Sequence, residues 1–214
     1  MTTLILIRHG ESETNYKKIF TGNLNPDLTE KGLHQAELAS DYISNNYKVD
    51  KIYASDLKRA YTTAVPASEK FGLEIIPSEQ LREINGGEWQ DKTYIDIKEE
   101  YPDSYGLWLS DIGNAVCTGG ESVKQLCDRV MKKLTEISEE NDGKTVLIAT
   151  HATPIRAFQT MCEHGTLEEM KNVPWVPNSS ITVAEYENGS FTLKVIGENS
   201  YLSDFATGFP SGNV

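Results

Sequence analysis

The sequence predicts a three-layer α/β/α fold around a mostly parallel central sheet, and three observations carry that expectation. Short apolar runs alternate along the chain with longer amphipathic stretches, the order of strands joined by crossover helices. The runs at 3–7, 51–54, 73–76 and 145–149 are apolar at nearly every position, as in strands covered on both faces. No internal repeat or low-complexity segment breaks the alternation.

Each element has a local reason. After the strand at 3–7, a helix begins at Thr29, a good N-cap, with Leu28 placed to staple onto Leu33. The strand at 51–54 leads into a helix over 57–71, in which Pro66 predicts a kink. A strand at 73–76 follows. Ser122 forms a capping box with Gln125 and opens a helix whose Val123, Leu126, Val130, Leu134 and Ile137 make a core-facing stripe. Past the strand at 145–149, Thr153-Pro154 reads as an N-cap with proline at the first helical position. Asn188-Gly189, between strands at 181–187 and 190–196, is a type I′ hairpin signal. The least regular stretch, 83–120, holds Trp89, Tyr94, Tyr101, Tyr105 and Trp108. It reads as an insert over approximately 84–120, packed over the sheet edge with its aromatics in a small satellite core.

Composition bounds the rest. The 214 residues suit one domain, 1–214, able to bury roughly 70% of its unfolded surface without a disulfide or metal staple. A net charge of −12 argues against nucleic acid or an anionic membrane as partner, so any anion site must be built locally. Cys117, Cys127 and Cys162 show no paired spacing and read as small hydrophobes of a reduced chain. The first apolar run is too short for a signal peptide, and no run approaches the ~20 apolar residues of a membrane span. The expectation is a cytoplasmic protein.

The chemistry concentrates at strand ends. Residues 4–9 read L-I-L-I-R-H and residues 146–151 read V-L-I-A-T-H, so two apolar runs each finish on a histidine. Open parallel sheets bind ligands beyond the carboxyl ends of their strands, where helix starts turn free N–H groups toward anions. His9 and His151 therefore fall where they can converge. Arg59, in the first turns of the helix after 51–54, joins them from a third strand end. Burying Arg8 is costly without an anion to meet it, and paired guanidinium forks match phosphate. A metal site on the two histidines is the competing reading. It is weakened by the flanking arginines, which repel a divalent cation, and by the absence of HxH or HExxH spacing. His34 and His164 lie in polar surroundings and are expected at the surface.

A phosphoryl group held this way can be bound or transferred. His9 suits the role of nucleophile, since an imidazole near its usual pKa of about 6.5 is largely neutral at pH 7. A hydrogen bond from its second nitrogen to a backbone carbonyl would fix the tautomer. A leaving alkoxide needs an acid, and L-R-E-I-N-G-G-E-W offers Glu83 and Glu88.

Arg8-His9-Gly10-Glu11-Ser12 resembles the signature of the histidine phosphatase superfamily, also called the phosphoglycerate mutase-like family. Matching stretches follow in the family's order: Asn15, Phe20-Thr21-Gly22, Leu28-Thr29-Glu30-Lys31-Gly32, Ser55-Asp56-Leu57, Arg59-Ala60, Leu81-Arg82-Glu83, Gly119-Gly120-Glu121-Ser122 and Thr150-His151. The resemblance implies a phosphoglycerate mutase-like fold and a phosphohistidine formed on His9. It implies that Arg8, Arg59 and His151 hold the phosphoryl oxygens, with Asn15 as a further donor and Thr21 and Gly22 at the substrate. It selects Glu83 over Glu88 as proton donor. It implies neither metal nor organic cofactor.

Within that family, mutases carry an Arg-His-Tyr type of sequence after the acid, whereas this chain has Ile84-Asn85-Gly86. The only basic residues between 85 and 120 are Lys92 and Lys98, thin provision for a second anionic group, and the chain leaves little room for a longer closing insert. A phosphatase acting on a small phosphorylated metabolite is expected. The alternatives are a cofactor-dependent phosphoglycerate mutase, which would need 2,3-bisphosphoglycerate, and a non-catalytic phosphate-binding scaffold. Two departures from the family pattern stand out: Asp91 replaces a common glycine, and Ala152 stands where glycine usually follows the second histidine. Ala152 retains a backbone N–H for phosphate.

Overall fold

The computed structural model describes residues 1–208; residues 209–214 of the expected domain lie outside them. Six strands form one sheet: β1 (Thr2–Arg8), β2 (Lys51–Ser55), β3 (Ile75–Ser78), β4 (Thr145–Thr150), β5 (Ile181–Glu187) and β6 (Ser190–Glu198). Their spatial order is β3-β2-β4-β1-β5-β6. The pairs β3–β2, β2–β4 and β4–β1 are parallel, and β5 and β6 complete the sheet antiparallel.

The apolar runs are continuous because both faces of the sheet are buried. Leu4, Leu6, Tyr53, Val146, Ile148 and Ala184 face one core, while Ile5, Ile7, Ile52, Ala54, Leu147 and Ala149 face the other. Helices α2 (Glu30–Asn46) and α3 (Lys58–Phe71) cover the second face through Ala39, Ile43, Ala64 and Ala67. The first is covered by α6 (Val123–Glu140) and α7 (Ala152–His164), through Leu126, Val130, Ile155 and Phe158. Three layers follow from two-sided apolar strands.

Local signals translate unevenly. Thr29 caps α2 by accepting from Gly32 N, but Leu33 stays exposed and makes no staple. The capping box of Ser122 and Gln125 forms as expected, and α3 runs through Pro66 without a break. Helix α7 starts earlier than Thr153-Pro154 predicts: its N-cap is His151 and its first residue Ala152. The strand expected at 73–76 is shifted to Ile75–Ser78, because Pro77, which lacks an N–H, is tolerated on this sheet edge. Asn188 and Gly189 both have positive φ, 52° and 82°, as a type I′ turn requires.

The stretch 84–120 contains two helices, α4 (Tyr94–Glu100), capped by Thr93 with Asp96, and α5 (Pro102–Ser110). Its aromatics do not form a separate satellite core. Trp89, Tyr105 and Trp108 belong to the same apolar cluster as Leu4, Leu6 and Ile148, joined through Phe20. Asp91, at the glycine-like position, holds φ at +65°.

Two glycines bring the loop after β1 onto α2. A Cβ on Gly10 would run into the Gly32 carbonyl, and one on Gly32 into the Glu11 carbonyl. Backbone packs on backbone there, and nothing flexible can yield. Gly32→Ala should therefore lower stability by about 1–3 kcal/mol; a urea midpoint equal to that of the parent chain would show that the two loops can separate freely.

Candidate active site

The register Arg8↔Thr150 between β1 and β4 sets His9 and His151 side by side, one residue beyond adjacent parallel strands. Their rings lie 5.1 Å apart, edge to face. Arg8, His9, Asn15, Thr21, Gly22, Arg59, Glu83 and Ala152 line one cavity of about 80 Å³. His151 is fully buried behind them. Glu88 is exposed and outside the cavity, so of the two glutamates only Glu83 reaches the site.

Each polar group is held by something specific. His9 Nδ1 is 2.6 Å from the Gly10 carbonyl, an acceptor only, so Nδ1 carries the proton and Nε2 is the lone pair. Arg59 Nε donates to that lone pair at 3.3 Å. The rest of the Arg59 guanidinium is anchored by the carbonyls of Gly22 and Leu24, each at 2.8 Å. Arg8 Nη1 donates to the Val176 carbonyl at 2.7 Å. Asn15 Oδ1 accepts from Ser12 N and from Asn178 Nδ2, which makes the amide nitrogen its outward end. Asn178 also donates to the His9 carbonyl at 3.0 Å.

The backbone amides after His9 differ from expectation. Gly10 N donates to Thr63 Oγ1, Glu11 N to Gln35 Oε1 and Ser12 N to Asn15 Oδ1. They are committed to holding the loop, and side chains supply the donors for an anion. At the other strand end Thr153 N contacts Glu83 Oε2 at 3.4 Å, while Glu83 Oε1 accepts from Ile84 N at 2.9 Å.

Burial governs the electrostatics. Desolvation pushes Arg8 and Arg59 down to about 10, opposed in both cases by the nearby Glu83 carboxylate; both stay charged at neutral pH. Desolvation also drives His9 well below 6.5, and Arg59 and Arg8 add to the effect. His151 moves the same way for the same reasons. Its Nε2 is 2.8 Å from Ser55 Oγ, and its Nδ1 has no partner among the described residues.

Several lining residues were not among those the sequence assigned to the site. Phe20, Ile84, Tyr94, Trp108, Thr153 and Trp175 complete the cavity. Trp175 stacks on Trp108 and lies under Arg156, whose guanidinium carbon is 4.2 Å from the ring centre. Arg156 is buried, donates to the carbonyls of Val173 and Met170, and is pushed down to about 10 by desolvation. An arginine between Ile155 and Ala157-Phe158 was the available sign of a buried cation. His34 and His164 are exposed, as expected.

Two neutral buried imidazoles have a thermodynamic consequence. Below pH 6.5 the unfolded chain takes up protons on His9 and His151 that the native state refuses, so stability falls with pH until the lowered native values are reached. Each ring adds a slope of up to about 1.4 kcal/mol per pH unit. His9→Asn should flatten the pH dependence of urea unfolding by one ring's share. An unchanged slope would mean that His9 is charged in the native site.

The histidine phosphatase superfamily (branch 1) profile matches residues 4–199. Phosphoserine phosphatase 1 of Hydrogenobacter thermophilus is 36% identical over 158 residues, 74% of each chain. The metal-independent phosphoserine phosphatase of Arabidopsis thaliana is 28% identical over 205 residues, 95% of this chain and 84% of its own. Among solved structures, Bacillus stearothermophilus YhfR superposes with a TM-score of 0.89 at 28% identity, covering 94% of this chain and 100% of its own. With its arginines and histidines gathered at the carboxyl ends of β1 and β4, this chain belongs to the histidine phosphatase superfamily.

Proposed function

We propose that the chain hydrolyses small phosphomonoesters through a phosphohistidine on His9. The observation that carries this reading is the fixed tautomer of a neutral imidazole, with Nδ1–H on Gly10 O and Nε2 toward a buried guanidinium. In the first half-reaction Arg8, Arg59 and the Asn15 amide hold the non-bridging oxygens. Ser55 Oγ accepts from Leu57 N and lies 2.8 Å from His151 Nε2, and in this reading it gives its own proton to that nitrogen. The His151 ring proton then sits on Nδ1 and completes the set of donors. Arg59 Nε exchanges the His9 lone pair for a phosphoryl oxygen. His9 Nε2 attacks phosphorus and the bond to the leaving oxygen breaks; the Glu83 carboxylate takes up the proton that a phosphate monoanion brings into the site and delivers it to that oxygen.

In the second half-reaction Glu83, now a carboxylate, takes a proton from water as that water attacks phosphorus. The P–N bond breaks, inorganic phosphate forms, and His9 is neutral again. Charge on the transferring group is met by guanidiniums already in place, so neither metal nor organic cofactor enters. A scaffold without catalysis would have no use for the nucleophile and acid together.

Hydrolysis fits better than mutase chemistry. The leaving-group side of the cavity is lined by Phe20, Ile84, Tyr94, Trp108 and Trp175. Arg8 and Arg59 are its only cations among the described lining residues, and both serve the phosphoryl group. Ile84-Asn85-Gly86 supplies no charge for a second anionic substituent. O-Phosphoserine, named in the relatives above, is the first compound to assay, beside a mutase assay on 3-phosphoglycerate.

His9→Ala should abolish turnover with the fold retained, and the acid-labile, alkali-stable phosphoprotein trapped from the parent enzyme should disappear. Its persistence in the variant would remove His9 as nucleophile. Glu83→Gln should slow an alkyl phosphate about 100-fold or more while slowing p-nitrophenyl phosphate far less, because p-nitrophenolate leaves without a proton. Equal slowing of both substrates would show that Glu83 is not the acid.

A further inference from the structure

Glu83 occupies a segment that no regular structure holds. It lies between two single-turn 3-10 helices, Glu79–Leu81 and Gly87–Trp89. Among the described residues its carboxylate makes only the hydrogen bonds to Ile84 N and the longer one to Thr153 N. The aim of the carboxyl group must therefore be set through the backbone. That backbone is gripped by one side chain from α6. Arg129 Nη1 donates to the carbonyls of Gln80 at 2.9 Å and Arg82 at 2.8 Å, and Nη2 to that of Glu83 at 2.9 Å. From the sheet side Thr150 Oγ1 donates to the Leu81 carbonyl at 2.7 Å. Four successive carbonyls, from residue 80 to 83, are thus fixed by side-chain donors.

Arg129 is itself oriented by Glu121. Nε lies 2.7 Å from Glu121 Oε1 and Nη2 2.9 Å from Oε2, a bidentate fork. Glu121 Oε2 also accepts from Asn85 N at 3.1 Å, and Glu121 N donates to the Asn85 carbonyl at 2.8 Å. The pair closes around residues 80–85 from both ends of the segment. A planar guanidinium, with five donors on three nitrogens, serves three carbonyls and a carboxylate at once; a lysine ammonium has three donors on a single nitrogen and cannot reach them all. Neither residue lines the catalytic cavity.

We propose that Arg129 and Glu121 are positioning residues that aim the Glu83 carboxyl at the leaving oxygen. This rests on Glu83 being the acid. The signature follows from the division of labour in the site. Among the described residues, Arg8, Arg59 and His9 share no hydrogen bond with the clamp, whereas the segment that carries Glu83 is held by it. A displacement near 1 Å is enough to cost about 100-fold in such a step.

The test is a leaving-group comparison, with β-glycerophosphate as alkyl substrate and p-nitrophenyl phosphate as aryl substrate, on Arg129→Ala, Arg129→Lys, Glu121→Gln and Glu83→Gln. The Arg129 variants should lose about 10- to 100-fold in kcat on the alkyl ester and far less on the aryl ester, with KM for both little changed. Glu121→Gln, which keeps the shape and removes the charge, should show the same selectivity more mildly, and covers the case in which Arg129→Ala does not fold. Combining Arg129→Ala with Glu83→Gln should cost little beyond Glu83→Gln alone. If Glu83→Gln is selective while the folded clamp variants slow both esters equally, the positioning role is overturned and the acid assignment stands. If Glu83→Gln itself slows both equally, the acid assignment fails and the clamp proposal falls with it.

Discussion

Two guanidiniums buried within reach of one imidazole set the terms for the whole site. Arg59 touches the His9 lone pair and Arg8 precedes it in the chain, so burial and both cations disfavour the imidazolium and keep the ring neutral, as the proposed nucleophile must be. Keeping both cations out of water is expensive, and the fold offsets the cost with carbonyl acceptors: Gly22 and Leu24 for Arg59, Val176 for Arg8. Those carbonyls come from loops far apart in sequence. The loop between α1 (Glu13–Lys17) and α2 and the loop before β5 are both tied to the site by these carbonyls.

The same demand explains why a chain of net charge −12 can receive a phosphate dianion. The acidity lies mostly at the surface, and the field inside is set by Arg8 and Arg59 with Glu83 as their nearby carboxylate. Low dielectric lengthens the reach of those few charges. The aromatic wall contributes by excluding water, and its rigidity comes from being part of the main core. Phe20 contacts Trp89 and Trp108 edge-on, and Trp108 passes the packing to Trp175 and Arg156. Had these rings formed a detached cluster, the wall could shift independently of the sheet that carries His9.

What was legible in the sequence was whatever periodicity and strand ends dictate. Continuous apolar runs at 3–7 and 145–149 placed β1 and β4, and a parallel register then forced His9 and His151 together. Arg59 was legible for the same reason. The helices of 84–120 were hidden although their caps, Thr93 with Asp96 and Pro102, were in view, because turns of seven and nine residues carry too little apolar period to stand out among so many aromatics. Trp175 and Asn178 were illegible because their roles depend on which loop reaches the strand ends. The start of α7 was misplaced because His151, without a side-chain cap bond, serves as N-cap ahead of a stronger local signal at Thr153.

The division between phosphoryl binding and proton delivery has a structural counterpart. Arg8, Arg59 and His151, three of the proposed phosphate-holding groups, sit on β1, on the first turn of α3 and at the end of β4, elements tied to the sheet. Glu83, the proposed acid, sits on an irregular segment whose carbonyls are captured by Arg129 from α6. If Glu83 is the acid, its aim depends on a side-chain clamp and not on a sheet, which makes it the part of the site most exposed to changes made away from it.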